Sequence, residues 1–244
     1  MMTLPNKKDA VHKAWLYRLL EAIADDSKLS EVLYFKGGTC AAMLDWLNRF
    51  SVDLDFDYSG KQEKIPETRK QLEIVFKNCG LAIKDSSKNG LQYFLKYDNI
   101  GRNTLKIEAS FPLFASSQYE PQRFIEIDRI LTCQTKETLF AHKLVALIDR
   151  FEKTNHIAGR DVFDIHSFFL QGFNYNKAVI EERRKVSAKI FFIGLIEFTE
   201  SHVTDKIITE DLSFLLPPDK FAQIRKSLKR EVLSLLRDEI AALK

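Results

Sequence analysis

Cysteine is scarce in this chain and scattered. Cys40, Cys79 and Cys133 are its three cysteines in 244 residues. Three widely spaced thiols give neither an even disulfide framework nor a paired metal pattern, so the sequence reads as that of a protein of a reducing cytoplasm. The five histidines, His12, His142, His156, His166 and His202, fall at neither zinc-ligand nor catalytic-triad spacing. Long apolar runs are missing too. The longest, Ile190 to Ile196, is interrupted by Gly194 and falls far short of the ~20 residues that span a bilayer. Residues 1–13 are polar, which argues against a signal peptide. No internal repeat or low-complexity segment stands out. An excess of charge of one sign is nearly absent. The 37 Lys and Arg against 34 Asp and Glu leave +3 at pH 7, compatible with an RNA partner without pointing to one.

What is present is the material of a core. Hydrophobic residues make up 45% of the chain and 19 are phenylalanine, enough for one large domain or two small ones. The chain is organised around Tyr34 to Tyr58. An apolar strand over 32–35 runs into Lys36-Gly37-Gly38, a helix over 39–48, and a second strand over 52–57. On that second strand Asp53, Asp55 and Asp57 alternate with Leu54 and Phe56. Strand side chains alternate between faces, so the three carboxylates share one face. Like charges in a row repel unless a cation sits among them, and hard divalent cations such as Mg2+ take carboxylate oxygens while keeping sites open for phosphate. The Gly37-Gly38-Thr39 turn fits the same chemistry, because glycines let backbone N–H groups approach a phosphate. Thr39 could cap the helix or touch a phosphate oxygen. Ser51, two residues before Asp53, points to the aspartate face. Lys36 could reach a triphosphate or balance the aspartates. Arg49 could meet a nucleotide or lie on the surface, and Asp57, near the strand end, could face solvent.

Elsewhere the periodicity predicts a helix over 9–25 with Val11, Trp15, Leu19 or Leu20, and Ile23 inside. A helix over 66–78 precedes a meander of strands at 81–84, 91–97 and 104–110. Its turns fall at Asn89-Gly90, a strong hairpin signal, and at 98–103. Another strand is expected over 124–130 and a strong helix over 135–151. Lys143 there shares a face with Leu139 and Leu147, and a lysine on an inner face wants an anionic partner. Asp161 opens the next helix, where the dipole favours an acid. A long helix over 176–200, with Glu181 to Lys185 as a solvated charged face, and a final helix over 221–243 complete the reading.

Strand, Gly-Gly-Ser/Thr turn, helix and Asp-x-Asp strand together resemble the signature of the polymerase-beta-like nucleotidyltransferases. The form found here, KGGT followed by RFSVDLDFD, resembles the AbiEii type of abortive-infection toxin. Two further matches extend it. Ala141 to Leu147, AHKLVAL, fits that family's A-x-K-L-x-A-L, and Arg160 to Ile165 fits its Arg-Asp-x-x-Asp-Leu with isoleucine for leucine. The resemblance implies an α+β fold, with a polymerase-beta-like lobe on a mixed sheet over residues 1–134 and a mainly helical lobe over 135–244 that completes the active-site cleft. It implies Asp53 and Asp55 as catalytic metal ligands for Mg2+, with Glu108 as a third carboxylate. On the residues alone Glu108 could equally pair with Lys106 or Arg102. Lys36, Gly37, Gly38, Thr39 and Ser51 would bind the nucleotide. Lys143 would serve the nucleotide site, paired with Asp161 as an active-site carboxylate, while Asp164 would be structural. The implied function is that of a cytoplasmic toxin of a toxin–antitoxin pair. It would transfer nucleotides from an NTP to an acceptor, the tRNA 3′ end, and so block translation and growth. A cognate antitoxin is the implied protein partner, and no membrane is involved. A protein-modifying nucleotidyltransferase, a solute-phosphate transferase and a non-catalytic nucleotide-binding module are the alternatives.

Overall fold

Helix α1 (Asp9–Asp25) buries Leu16, Leu19, Leu20 and Ile23. The buried stripe runs one position round from the expected one: Val11 is exposed, and His12 takes the inner place. His12 is satisfied there, with Nε2 against the Val52 carbonyl and Nδ1 against the Tyr97 hydroxyl, both at 2.8 Å. The chain continues through α2 (Ser27–Ser30), β1 (Leu33–Lys36), α3 (Gly37–Met43), β2 (Asp53–Tyr58), α4 (Ile65–Asn78), β3 (Ala82–Ser86), β4 (Leu91–Lys96), β5 (Thr104–Ser110), β6 (Tyr119–Phe124) and β7 (Arg129–Gln134). Helices then take over: α5 (Lys136–Thr154), α6 (Gly159–Leu170), α7 (Lys177–Arg184), α8 (Ala188–His202), α9 (Asp205–Leu212), α10 (Pro218–Ile224) and α11 (Leu228–Ala242). The computed structural model describes residues 2–97 and 103–243. The turn expected at 98–103 and Arg102 as a partner for Glu108 lie outside those residues, Asn103 apart.

The chain divides into two compact units. The first holds the residues up to Asp45, Phe50–Leu113 and Gln118–Thr135; the second holds Trp46–Arg49, Phe114–Ser117 and everything from Lys136 onward. In the first, seven strands form one mixed sheet in the order β3-β4-β5-β2-β1-β7-β6. β2 lies parallel to β5, and β1 parallel to β7; the other neighbours are antiparallel. The apolar face carries Phe35, Leu54, Phe56, Tyr93, Leu95 and Ile107, each at most 2% exposed. Helix α4 packs there through Phe76, edge-on to Tyr93 with ring centroids 5.0 Å apart. Burying each such side chain stabilises the fold by roughly 1.5–3 kcal/mol.

The strand expected over 124–130 is instead a turn between two strands. Asp128 has φ +49° and Ile125 is 82% exposed, so the alternation of Ile125 and Ile127 reads out a tight connection. The strands beside it enter the expected range only at Phe124 and at Arg129 and Ile130, and β6 carries Pro121, tolerated because it is an edge strand.

The second unit is helical among its described residues. The single helix expected over 176–200 is two. Lys185 turns left-handed at φ 57°, and the Ser187 hydroxyl caps α8 by accepting from the Ile190 N–H. Its charged run is also not a solvated face. Arg183 and Arg184 both hold Asp149 on α5, at 2.5 and 2.7 Å. Glu182 accepts the backbone N–H groups of Ala115 and Ser116 at 2.9 and 2.8 Å. The final helix likewise breaks, into α10 and α11. Gly159 lets α6 approach α9, since a Cβ there would stand 2.7 Å from the Ile207 carbonyl oxygen.

Candidate active site

The first unit places the acidic strand at the middle of the sheet. Read across it, one rung runs Gln92, Glu108, Asp55, Lys36, and the next runs Phe94, Lys106, Asp53. Paired residues on neighbouring strands point to the same face, at a strand spacing of about 4.8 Å. Asp53 and Asp55 therefore stand two residues apart on one half-buried face, with Glu108 directly beside Asp55.

Cations sit among these acids. Lys36 reaches Asp57 with Nζ–Oδ1 at 2.6 Å. Asp57 does not face solvent: it is 6% exposed, and its Oδ2 also accepts from Tyr119 Oη at 2.8 Å and Gln134 Nε2 at 2.6 Å. Of the two roles open to Lys36, the structure makes the contact with an aspartate. Lys106 pairs with Glu108 on its own strand. Burial works to raise the Glu108 carboxyl, but the Lys106 ammonium more than offsets it and holds the group below the usual carboxylate range. Burial likewise works to lower the Lys106 ammonium, and Glu108, then Asp55 and Asp53, lift it above its ordinary value.

Lys36 and Lys106 thus each meet an acid of this face, Asp57 and Glu108. Among the described residues no group of three His, Cys, Asp or Glu converges as a ready-made metal site. A pair of carboxylates is nevertheless what Mg2+ uses when the substrate's phosphates and water supply the rest. Asp53 and Asp55 fit that role. Glu108 would join them only by leaving Lys106.

The Gly-Gly-Thr turn serves this strand at close quarters. Gly37 has φ +80°, and a Cβ added to it would lie 2.4 Å from Asp55 Oδ2. Glycine is thus required twice, for its backbone conformation and for the room it leaves the carboxylate. Thr39 neither caps α3 nor is open to a phosphate. It is wholly buried, and its hydroxyl donates to the Asp53 carbonyl at 2.5 Å, tying α3 to the start of β2. Gly38 is buried behind the turn, and Ser51 is buried ahead of the strand.

The second unit holds a separate charged cluster. Lys143 of α5 pairs with Asp164 at 2.8 Å, not with Asp161. Asp164 is fully buried and shared: Arg49 grips it with Nε–Oδ1 at 2.5 Å and Nη2–Oδ2 at 2.7 Å. Burial tends to raise its carboxyl, but Arg49 and Lys143 pull it down to about 2. Arg49 is therefore not at the surface; it is 2% exposed. Burial opposes its charge, while Asp164, Asp161 and Asp211 reinforce it, raising its pKa overall. Asp161 takes Arg150 instead, Nε–Oδ2 at 3.0 Å. Its other oxygen, Oδ1, is buried and accepts no hydrogen bond from the described residues. The lysine and the Arg-Asp-x-x-Asp segment thus do meet, through the second aspartate of the segment. At helical spacing Asp161 and Asp164 lie three residues apart on neighbouring positions of α6, so sequence alone could not choose between them. Asp211 on α9 was not indicated by any motif.

The comparisons with known proteins follow the same lines. No curated protein matches the chain. A crystal structure of a candidate nucleotidyltransferase from H. pylori superposes with a TM-score of 0.57 over 98% of this chain and 99% of that one, at 20% identity, which establishes a shared α+β nucleotidyltransferase fold. No helix among the described residues is long and apolar enough to cross a membrane. The family described as nucleotidyl transferase AbiEii toxin, type IV TA system, matches residues 18–239. The chain therefore belongs to the AbiEii nucleotidyltransferase toxin family of type IV toxin–antitoxin systems.

Proposed function

We propose that the protein transfers a nucleotide from an NTP to an acceptor hydroxyl, using Asp53 and Asp55 as its metal-binding carboxylates. The observation that carries this reading is the Asp53–Asp55 pair with Gly37 pressed against Asp55, a turn shaped around a carboxylate that no core contact requires. Bound Mg2+ would supply neutralisation of the triphosphate. Every other part is played by the chain. Gly37 and Gly38 give the triphosphate close approach to the backbone. Thr39 holds the start of β2, and Ser51 leads into it. Lys36 and Lys106, paired with Asp57 and Glu108, screen the mutual repulsion of the acids, with Glu108 as a reserve ligand. By the family's A-x-K-L-x-A-L pattern Lys143 is the ammonium that meets the triphosphate. By the family's Arg-Asp-x-x-Asp-Leu pattern Asp161, held by Arg150 through Oδ2, takes the acceptor hydroxyl's proton as the new bond to the α-phosphorus forms and pyrophosphate departs, a step that needs its buried Oδ1 to be uncovered.

The acceptor in this reading is the 3′ end of tRNA, so that the modified tRNA no longer supports translation and growth stops until the cognate antitoxin counters the toxin. The experiment is incubation of purified protein with Mg2+, each α-labelled NTP in turn and total cellular RNA, resolved on a denaturing gel. Label in a tRNA-sized band is the expected result and names the nucleotide. Label in protein bands would replace tRNA by a protein hydroxyl as acceptor. No label in either, with NTP binding retained, would refute transfer and leave a nucleotide-binding module.

A further inference from the structure

Arg49 belongs to the loop between α3 and β2, and its guanidinium grips a carboxylate of α6. Asp164 Oδ2 is shared: Arg49 Nη2 lies 2.7 Å from it and Lys143 Nζ 2.8 Å. Arg49 and Asp164 side chains are 3% and 0% exposed, and Lys143 is 15% exposed. Of these three groups, Lys143 alone retains contact with solvent to any degree that a ligand could use. The wider cluster counts Arg49, Lys143 and Arg150 against Asp161, Asp164 and Asp211, three charges of each sign. Two of those carboxylates, Asp161 and Asp211, keep a buried oxygen without a hydrogen-bond partner among the described residues. The cluster is thus rich in acceptors, and its balance depends on every cation in it.

We infer that Arg49 is a positioning residue for Lys143: by donating to both oxygens of Asp164 it fixes the carboxylate that anchors the lysine and cancels the charge that would otherwise hold the ammonium back from a phosphate. This deepens the reading above and rests on it, since it takes Lys143 as the group that meets the triphosphate. Without Arg49, three carboxylates face two cations. The excess negative charge, in a place where burial weakens solvent screening, would bind Lys143 more tightly and repel an incoming triphosphate. A lysine in place of Arg49 would keep the charge but lose the planar two-point grip. Removing the Asp164 charge together with Arg49 restores equal numbers, two against two.

Those substitutions make the test. Titration of ATP, CTP, GTP and UTP with Mg2+ into wild type, Arg49→Met, Arg49→Lys, Arg49→Met/Asp164→Asn and Lys143→Ala is combined with KM and kcat for transfer. Arg49→Met should weaken NTP binding by about tenfold to a hundredfold, the range for losing an interaction with a charged group, and raise KM in step. Arg49→Lys should fall between it and wild type. The double variant should recover most of the loss although the ion pair is gone, whereas a merely structural salt bridge would leave NTP binding per folded molecule unchanged in every Arg49 variant. If Arg49→Met proves unstable, the double variant and Arg49→Lys carry the test alone, with binding within a few-fold of wild type expected for the double variant. The inference is overturned if folded Arg49→Met binds NTP as wild type does, or if the double variant binds it no better than Arg49→Met where that variant folds, or with a loss of tenfold or more where it does not. Lys143→Ala separates the two levels: unchanged NTP binding there removes the underlying role of Lys143, whereas weakened binding beside a neutral Arg49→Met removes only the inference.

Discussion

Replacing Gly37 by alanine puts a methyl group where the Asp55 carboxylate stands. The new Cβ would begin 2.4 Å from Asp55 Oδ2 and 2.8 Å from Asp55 Cβ, so the carboxylate must retreat by 0.6 Å to clear 3.0 Å and by 1.0 Å to reach ordinary contact at 3.4 Å. Holding a non-glycine residue at φ +80° costs about 1–2 kcal/mol. Driving Asp55 off its rotamer costs a further ~0.5–1.5 kcal/mol. The sum, about 1.5–3.5 kcal/mol, is large but within the usual stability of about 5–15 kcal/mol, so most molecules should stay folded. Activity should suffer more than stability. A displacement of about 1 Å in a reacting constellation costs on the order of a hundredfold in rate. The assay is label transfer per folded molecule, with the melting temperature measured on the same preparation. A variant whose melting temperature drops while transfer stays within about twofold of wild type would refute the claim that Gly37 exists to place Asp55.

Other consequences follow from particular groups. Gly194 lies inside α8 with open space around its missing side chain, so Gly194→Ala should raise stability by about 0.5–1 kcal/mol in chemical denaturation; a loss would mean the helix surface is covered by something not described. Asp164 has its pKa depressed from the usual 3.8 to about 2, so the stability it contributes is fully present above the unfolded value and is lost as pH falls through the folded one. The stability gap between wild type and Asp164→Asn should therefore be constant above about pH 5 and narrow by about 2 kcal/mol on going to pH 2. A gap independent of pH would show that Asp164 is not ionised in the fold.

The acidic strand and the turn before it could be read in the sequence because their signals are local. A period of two fixes which face Asp53 and Asp55 share, and Gly-Gly between a strand and a helix leaves few backbone choices. The β3–β4–β5 meander was legible for the same reason, from Asn89-Gly90 between its first two strands and the alternation in Leu105 to Ala109. What escaped are facts set by distant partners. Arg49 and Asp164 are 115 residues apart, and nothing near Arg49 announces a buried carboxylate. The cations that balance the acids were half visible: Lys106 was an open alternative for Glu108, and Lys36 for an aspartate, but Gln134 and Tyr119 closing over Asp57 come from strands two and three places away in the sheet. Helix breaks were missed where the chain spends a lysine, Lys185, in the left-handed conformation that sequence reading reserves for glycine or asparagine. Ile125 and Ile127 stand two residues apart as same-face residues of a strand would, but in this turn one is exposed and the other buried.

The central claim is that Asp53 and Asp55 make this fold a nucleotidyltransferase. Its most direct measurement is the rate of label transfer from an α-labelled NTP in Mg2+, for wild type and Asp53→Ala at matched folded fractions, with growth arrest on expression recorded for the same pair. The account predicts that Asp53→Ala transfers nothing above background and no longer arrests growth while keeping its helical and strand signature. A folded Asp53→Ala protein that still transfers label, or remains fully toxic, would contradict it.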